Sequence, residues 1–491
     1  MRVAVIHGYY LHDSGSGIYV REVVRELVRQ GHDVTLVCQD RSPALYDFID
    51  TAYAFEDDDL QPVRLGDVRE ALYEGRCRLV RPHLRRLLVY VDGPFPGFEA
   101  ERVRAFQDSP SEWIEEYVQD NISALRAVFA AWPPDVILAH HAIMNPYVVR
   151  HALTTAPYVV TIHGSELNFS IKEDARLVPF AVEGLEAAAA LVTVSEPGAA
   201  EIIAWAAEHG LQIAGKTFAI PPGVDAQTFA PASTRAAAIA ALSREVPLAG
   251  ELQLRPQDRI IVYAGRLMWT KGVHYAISCL PRVVAHFPSV RLLIAGDGPG
   301  RAPLAELARL LGEGDVAAAQ ALAQEEDELR APPAFGELVP ATTPHAGPLP
   351  AHFLGHLSSA QVGRLFAAAD VSFAPSVFPE AVGLVTIEAL SAGALPLASY
   401  HSGLASVVDV VADALADPGL KALAPGGCLT EELSRLTIDV LGRYPTASVA
   451  FRERLHDLSR LRFASWGTVA QRYLALAGGG SGGGRGDDRA V

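Results

Sequence analysis

Lysine is nearly missing from this chain of 491 residues: Lys172, Lys216, Lys271 and Lys421 are the whole complement, and arginine supplies the rest of the 41 basic residues. Each lysine position therefore carries information. Cysteine is as scarce. Cys38, Cys77, Cys279 and Cys428 show neither the close spacing of a metal site nor the density of a disulfide framework, which fits a reducing, cytoplasmic setting. Positive charge is outweighed by 57 acidic residues, and the formal net charge of −16 excludes a general nucleic-acid binder. No apolar run approaches the roughly 20 residues of a membrane-spanning helix. Met1 leads straight into a strand-like segment with no signal-peptide pattern. What is abundant is apolar material. At 50% hydrophobic residues, a chain of 491 fills two or more separate cores.

Short apolar runs of strand type alternate with stretches of helical period. Arg2–His7, Val34–Cys38, Val136–Ala139, Tyr158–Ile162, Ile260–Ala264, Leu292–Ala295 and Val371–Ala374 read as strands. The alternation predicts an α/β fold with parallel sheets covered on both faces. Ile18, Val23, Val24, Leu27 and Val28 form the apolar side of a first helix that Gly31 closes, with Ser14–Gly17 as a loop before it. Val273, Ala276, Ile277, Leu280, Val284 and Phe287 predict one helix after the loop at Lys271, and Phe451 to Leu476 predicts another near the end. Gly312 to Pro350, rich in Ala, Glu and Pro, lacks a period and is expected to be an inserted, mobile excursion. Residues 478–491 hold no core-forming side chains and are expected to be disordered.

Polar residues concentrate where strands end, which is where open α/β sheets bind ligands. Arg266 and Lys271 follow the strand Ile260–Ala264, and a forked guanidinium beside a rare ammonium suits an oxyanion cluster such as a diphosphate. Glu380 follows the strand Val371–Ala374, Gly383 opens a helix, and Glu388 sits in that helix's second turn. The first amides of such a helix have no internal partner and favour an anion. His163 follows Tyr158–Ile162 and precedes Gly164, a placement that favours function over a satisfied core imidazole. His140 and His141 also end a strand, but as neighbours they are expected to point apart, and both read as structural. Asp297, in Gly296-Asp-Gly298-Pro, reads as a turn residue. Asp57–Asp59 reads as a solvated acidic loop, so no metal is implied. Arg76, Arg78, Arg81, Arg85 and Arg86 make a basic patch. Solvation is the favoured reading of it, ahead of peripheral contact with anionic lipid or a charged acceptor. Asp40, after the second strand, keeps a nicotinamide-dependent oxidoreductase in view. Against it, Gly15 comes eight residues after His7, and Val20 takes the third glycine position of the dinucleotide fingerprint.

The run Glu380-Ala-Val-Gly-Leu384, with Glu388 after seven intervening residues, resembles the carboxylate pair of retaining glycosyltransferases of GT-B architecture, above all glycosyltransferase family 4. The usual Glu-Gly-Phe-Gly-Leu departs here at Ala381 and Val382. Further segments resemble the same family: the loop with Arg266 and Lys271, Leu292–Pro299, Phe353–Leu357, and Ile220–Asp225, where Pro222 replaces the more usual asparagine. The resemblance implies two Rossmann-like domains facing across a cleft. Residues 1–225 would form the acceptor-side domain, and 226–455 the donor domain with its insertion near 312–350. A helix at 456–477 would cross back, and 478–491 would form the tail.

It also implies transfer of a hexose from a nucleotide-diphosphate sugar to an acceptor hydroxyl with retention; it supports front-face displacement, the sequence leaves a covalent intermediate open, and domain closure over the donor is expected. No cofactor and no metal are expected, and the acceptor would be a carbohydrate, lipid-linked or small molecule. Arg266 and Lys271 would neutralise the leaving diphosphate, Glu380 face the donor sugar, Glu388 hold the ribose and His163 lie near the anomeric centre. The backbone of Gly355, His356 and Leu357 would read the base. The amides of Val382, Gly383, Leu384 and Val385 would meet phosphate, as would a flexible glycine loop at Gly15 and Gly17. A non-catalytic nucleotide-sugar-binding subunit, and an epimerase or phosphorylase of similar architecture, remain alternatives.

Overall fold

The structure, a computed structural model, describes residues 1–12, 14–55, 61–90, 98–152, 155–340 and 347–478. The acidic run Asp57–Asp59, part of the 312–350 segment and nearly all of the tail lie outside the described residues. The chain divides into two compact units, one of Met1–Gly223 with the chain from Trp466, the other Val224–Ser465.

The strands of the first unit are β1 (Arg2–Ile6), β2 (Asp33–Val37), β3 (Thr51–Ala54), β4 (Val63–Asp67), β5 (Arg76–Arg81), β6 (Leu87–Val89), β7 (Val103–Ala105), β8 (Val136–His140), β9 (Tyr158–Ile162), β10 (Ala190–Thr193) and β11 (Thr217–Ala219). Nine of them form one sheet in the order β11-β10-β9-β8-β1-β2-β5-β3-β4, and β6 and β7 pair separately. Among the described residues only β3 and β4 run antiparallel. The central strands β1, β8 and β9 are buried along their length apart from Arg2 and are mostly apolar, as in a sheet covered on both faces. The chain leaves β1 toward β2 on one side and later returns to β8 on the other. The strand order thus reverses beside β1, the place where open α/β sheets bind ligands, at the strands' carboxyl ends.

The second unit contains β12 (Arg259–Ala264), β13 (Val290–Ala295), β14 (Ala351–Gly355), β15 (Val371–Ala374) and β16 (Leu395–Ala398), all parallel, in the order β14-β13-β12-β15-β16. Its reversal lies between β12 and β15. Deep in this unit Arg452 is almost sealed from solvent and donates to the carbonyls of Phe366, Ala367, Ala369 and Ala392, which binds two helix ends together. Burial pushes its guanidinium down to about 10.

Four expectations need correction. Gly15 and Gly17 are not a loop: the first helix spans Gly15–Arg29, and the Ser14 hydroxyl accepts the Gly17 N–H at 3.0 Å as its cap. The helix predicted over 273–287 is two, Val273–Ser278 and Leu280–His286, because Pro281 in the first turn of the second cannot donate into the preceding one. The described residues of the 312–350 segment are built in rather than loose. They include the helix Val316–Glu325, capped by Asp315, and the buried Leu329, Phe335, Leu338 and Val339. The alanine-rich composition hides the helical period. The helix predicted from Phe451 to Leu476 is also two. Val449–Arg462 stays with the second unit through Arg452, and Trp466–Ala477 packs on the first helix, where Tyr473 and Tyr19 share a hydroxyl–hydroxyl bond of 3.0 Å.

The basic patch lies on and beside β5. Arg78 pairs with Asp33 at 2.6 Å, Arg85 pairs with Asp120 at 2.8 Å, and Arg86 lies over the Trp113 ring at 4.0 Å, so much of its charge is already matched. Among the described residues no helix is long and apolar enough to cross a membrane.

Candidate functional site

In the second unit the loop after β12 is shaped by its own backbone. Gly265 N–H donates to Ala295 O at 2.9 Å, Leu267 N–H to Asp297 O at 3.0 Å, and the Tyr263 hydroxyl to Arg266 O at 2.9 Å. Asp297 spends its carboxylate on the next amide, Gly298, as a turn residue does. Arg266 is exposed, and its guanidinium makes no ion pair or hydrogen bond among the described residues.

Lys271 ends the loop. Gly272 follows with φ +69°, and a Cβ there would fall 1.8 Å from Pro375 O, so only glycine permits the loop after β12 to lie against the loop after β15. Val377 N–H donates to Thr270 O at 3.0 Å and completes the lock. The result is an ion pair: the Lys271 ammonium donates to Glu380 Oε1. The same oxygen accepts from the Ser376 hydroxyl at 2.8 Å, while Glu380 N–H donates to Ser402 Oγ at 3.0 Å. Burial works to raise the Glu380 carboxyl. The charge of Lys271 and the hydrogen bonds from Lys271 and Ser376 outweigh it and hold the group below its usual range.

Three residues beyond Glu380, Gly383 adopts φ +72° and turns the chain into the helix Leu384–Ser391. The Thr386 amide and hydroxyl both fold back on Gly383 O, at 2.9 and 2.6 Å. The amides of Leu384 and Val385, at the first two helical positions, have no acceptor within the helix, and the helix dipole makes that end positive. Val382 is buried before the turn, and Glu388 is half-buried in the second turn. Gly355, at the end of β14, has φ +73°, and its carbonyl accepts the Gly296 amide at 2.7 Å. His356 beyond it is exposed and Leu357 half-buried. The predicted residues of this unit thus lie at the carboxyl ends of β12, β14 and β15, with Lys271 and Glu380 in direct contact.

In the first unit the structure corrects the reading of the paired histidines. His140 ends β8 opposite Thr161 of β9, and its Nδ1 lies 3.0 Å from Nε2 of His163. Alternation across a strand would send His141 the other way. That residue instead takes φ +74° just past the strand, and its ring centroid comes within 4.9 Å of His163. His7, after β1, stacks on His141 at 5.6 Å, so three neighbouring strands bring four imidazoles together. Among the described residues no group of three or more His, Cys, Asp or Glu is arranged to hold a metal ion.

Glu166 is the fully buried anchor of this cluster. Its carboxylate accepts the amides of His163 at 2.9 Å and Ala142 at 3.0 Å, and His141 Nδ1–H at 3.4 Å. Burial would raise it, but these donors and the neighbouring rings bring it down to about 2. Burial pushes His7 and His140 well below the imidazole range and His163 down to about 3. Asn145 fastens the cluster by donating to His7 O at 3.1 Å and His140 O at 2.8 Å. Sequence reasoning missed Glu166, Asn145 and His7. The one available signal was that Glu166 follows His163 by three residues in a strand-end loop. Gly15 and Gly17 make no direct contact with these rings; Tyr19, on their helix, packs edge-on to His163 at 5.5 Å. Asp40 is buried and engaged by Leu11 N–H, Ser42 N–H, His12 and the Tyr46 hydroxyl, which leaves it poorly placed to hold a nicotinamide cofactor's ribose.

Comparisons with known proteins agree with this layout. Residues 14–212 match the family described as Glycosyl transferase 4-like domain, and residues 248–318 and 350–419 match Glycosyl transferases group 1. D-inositol 3-phosphate glycosyltransferase of Segniliparus rotundus is 29% identical over 199 residues, which are 40% of this chain and 35% of that protein. The chain thus spans about a third of that relative's length in the alignment. Among solved structures, sucrose-phosphate synthase from Thermosynechococcus elongatus superposes with a TM-score of 0.61 at 19% identity, covering 97% of this chain and 98% of that one. Anabaena HepE in complex with UDP and glucose gives 0.56 at 15% identity, covering 98% and 100%. At such identities the likeness shows the fold.

Proposed function

The chain belongs to the group 1 glycosyltransferases of GT-B architecture, and from that premise we propose that it transfers a hexose from a nucleotide-diphosphate sugar to an acceptor hydroxyl with retention of configuration. The observation that carries this reading is the interlocked pair of strand-end loops that sets Lys271 on Glu380, close to a helix N-terminus opened by Gly383. Breaking a glycosidic bond to a diphosphate puts negative charge on the departing oxygen. The unpaired Arg266, Lys271 and the amides of Leu384 and Val385 are the groups suited to receive it. Glu380, kept ionised beside Lys271, would orient the donor sugar, and Glu388 would hold the ribose. Main chain at Gly355–Leu357 would meet the base. His163 in the first unit would contact the sugar. The acceptor is a carbohydrate, lipid-linked or small-molecule hydroxyl. The leaving phosphate itself is the proposed base, as front-face displacement requires.

A screen of nucleotide sugars by thermal shift and mass-spectrometric hydrolysis tests the reading. At least one donor is expected to stabilise the chain and to lose its sugar. Arg266→Ala should then lower kcat by roughly 10²-fold without changing the melting temperature. Wild-type turnover in that variant would defeat the assignment, and donor binding with neither transfer nor hydrolysis would point to a non-catalytic binding protein.

A further inference from the structure

The four clustered imidazoles leave a pattern of orphaned nitrogens. His7 Nε2 lies 3.1 Å from the carbonyl of Tyr10, and a carbonyl only accepts, so Nε2 carries the proton and the buried, unpartnered Nδ1 is a lone pair. His141 repeats it. Nδ1 faces the Glu166 carboxylate and must donate, while Nε2 is buried without a partner. At His140 the partner is another imidazole, so distance alone permits either direction. The orphan decides. His140 Nε2 is buried without a partner. A buried N–H with no acceptor is rarer than an acceptor left short, and stranding a donor there forfeits its full solvation. A lone pair on Nε2 puts the His140 proton on Nδ1, aimed at Nε2 of His163.

We propose that His140 is a positioning residue that locks His163 in the tautomer protonated at Nδ1, so that His163 presents an N–H donor, and no basic lone pair, to the bound sugar. Nε2 of His163 is occupied in accepting from His140, and Nδ1 makes no hydrogen bond among the described residues. The ring stays neutral at physiological pH, because burial pushes it down to about 3. Tyr19 packs against one edge and His141 tilts across the ring, so its orientation is held as well as its proton. A neutral donor can hold a sugar oxygen but cannot take the acceptor's proton. This rests on the proposed glycosyl transfer only for the identity of the ligand; the tautomer itself does not depend on it.

The test is ring-nitrogen NMR of the full chain labelled with ¹⁵N-histidine at neutral pH, with the His163 signals identified by their loss in His163→Gln. The expected spectrum shows His163 protonated at Nδ1 and bare at Nε2. A ring protonated at Nε2, or one exchanging between forms, overturns the proposal whatever the activity. In His140→Leu, His163 should lose its single tautomer and kcat should fall by about tenfold or more, less than for outright removal of a transition-state donor, with donor KM little changed. His140→Asn keeps an N–H near the Nδ1 position and should restore most of both. A folded His140→Leu with unaltered kcat and tautomer also overturns the proposal. If the wild-type spectrum is as expected but no nucleotide sugar turns over, the tautomer assignment stands and the proposed function falls. Sugar transfer with the opposite tautomer upholds the function and removes the tautomer assignment.

Discussion

The two units hold their polar groups by opposite means. In the second, Arg266, Lys271 and Glu380 sit at open strand ends, supported by main chain and partly in contact with water. In the first, His7, His140 and His163 are neutral and enclosed, and the carboxylate among them, Glu166, is inaccessible and held by buried donors. Each unit is therefore vulnerable in its own way. Removing a group from the second should damage chemistry and leave folding alone, whereas the first should lose stability before anything else.

Acid gives the largest separation. His7, His140 and His163 stay neutral when folded, while an imidazole in the unfolded chain titrates near 6.5. Below that value the unfolded chain takes up protons that the folded one refuses, so stability is complete above about pH 6.5 and falls as the pH drops. The slope is about 1.4 kcal/mol per pH unit for each group, or about 4 for the three. Glu166, depressed to about 2, adds nothing until the pH passes below the unfolded carboxylate value near 4.3. In the second unit burial lowers His274, to about 3, and His352, so its loss should be smaller. Hydrogen exchange followed by mass spectrometry between pH 7.5 and 5.5 should show the first unit opening first. Equal opening of both would erase the contrast.

Glu166→Ala comes next. It strands the amides of Ala142 and His163 in the interior, at about 1–3 kcal/mol for each unsatisfied donor. Calorimetry should register a loss of about 3 kcal/mol in the first unit with the second unchanged. An undisturbed first unit would mean that its polar cluster is not what holds these loops. A milder change is expected from Glu388→Ala. Titration with UDP, ADP and GDP should show the tightest of them weakened by about tenfold, close to 1.4 kcal/mol, with the melting curve of the free chain unaltered. Unchanged nucleotide affinity would count against its ribose role.

How much of this was legible in the sequence depended on the range of the interaction. The strands β1, β2, β8, β9, β12, β13 and β15 were readable because burial on both faces demands unbroken apolar runs. Arg266, Lys271 and Glu380 were readable because each follows such a run within a few residues. The segment after Gly312 was misread because alanine satisfies a helix without leaving a period. The break at Phe463–Ser465 was missed because the apolar positions on either side share a spacing while serving different cores. Nothing local distinguished Arg452 from a surface arginine, since the four carbonyls it satisfies come from distant turns.

Residue order alone was enough to establish an α/β protein with charged groups at strand ends, because periodicity and the succession of residues along one loop are local properties. Which of those ends become neighbours followed only from the folded arrangement. The order β9-β8-β1 sets His140 against His163, and the order β12-β15 sets Lys271 against Glu380. A proton's place on an imidazole, or the charge on a carboxylate, is fixed by what lies within about 3 Å of it. For His163 and Glu380 that neighbour, His140 or Lys271, is 23 or 109 residues away along the chain.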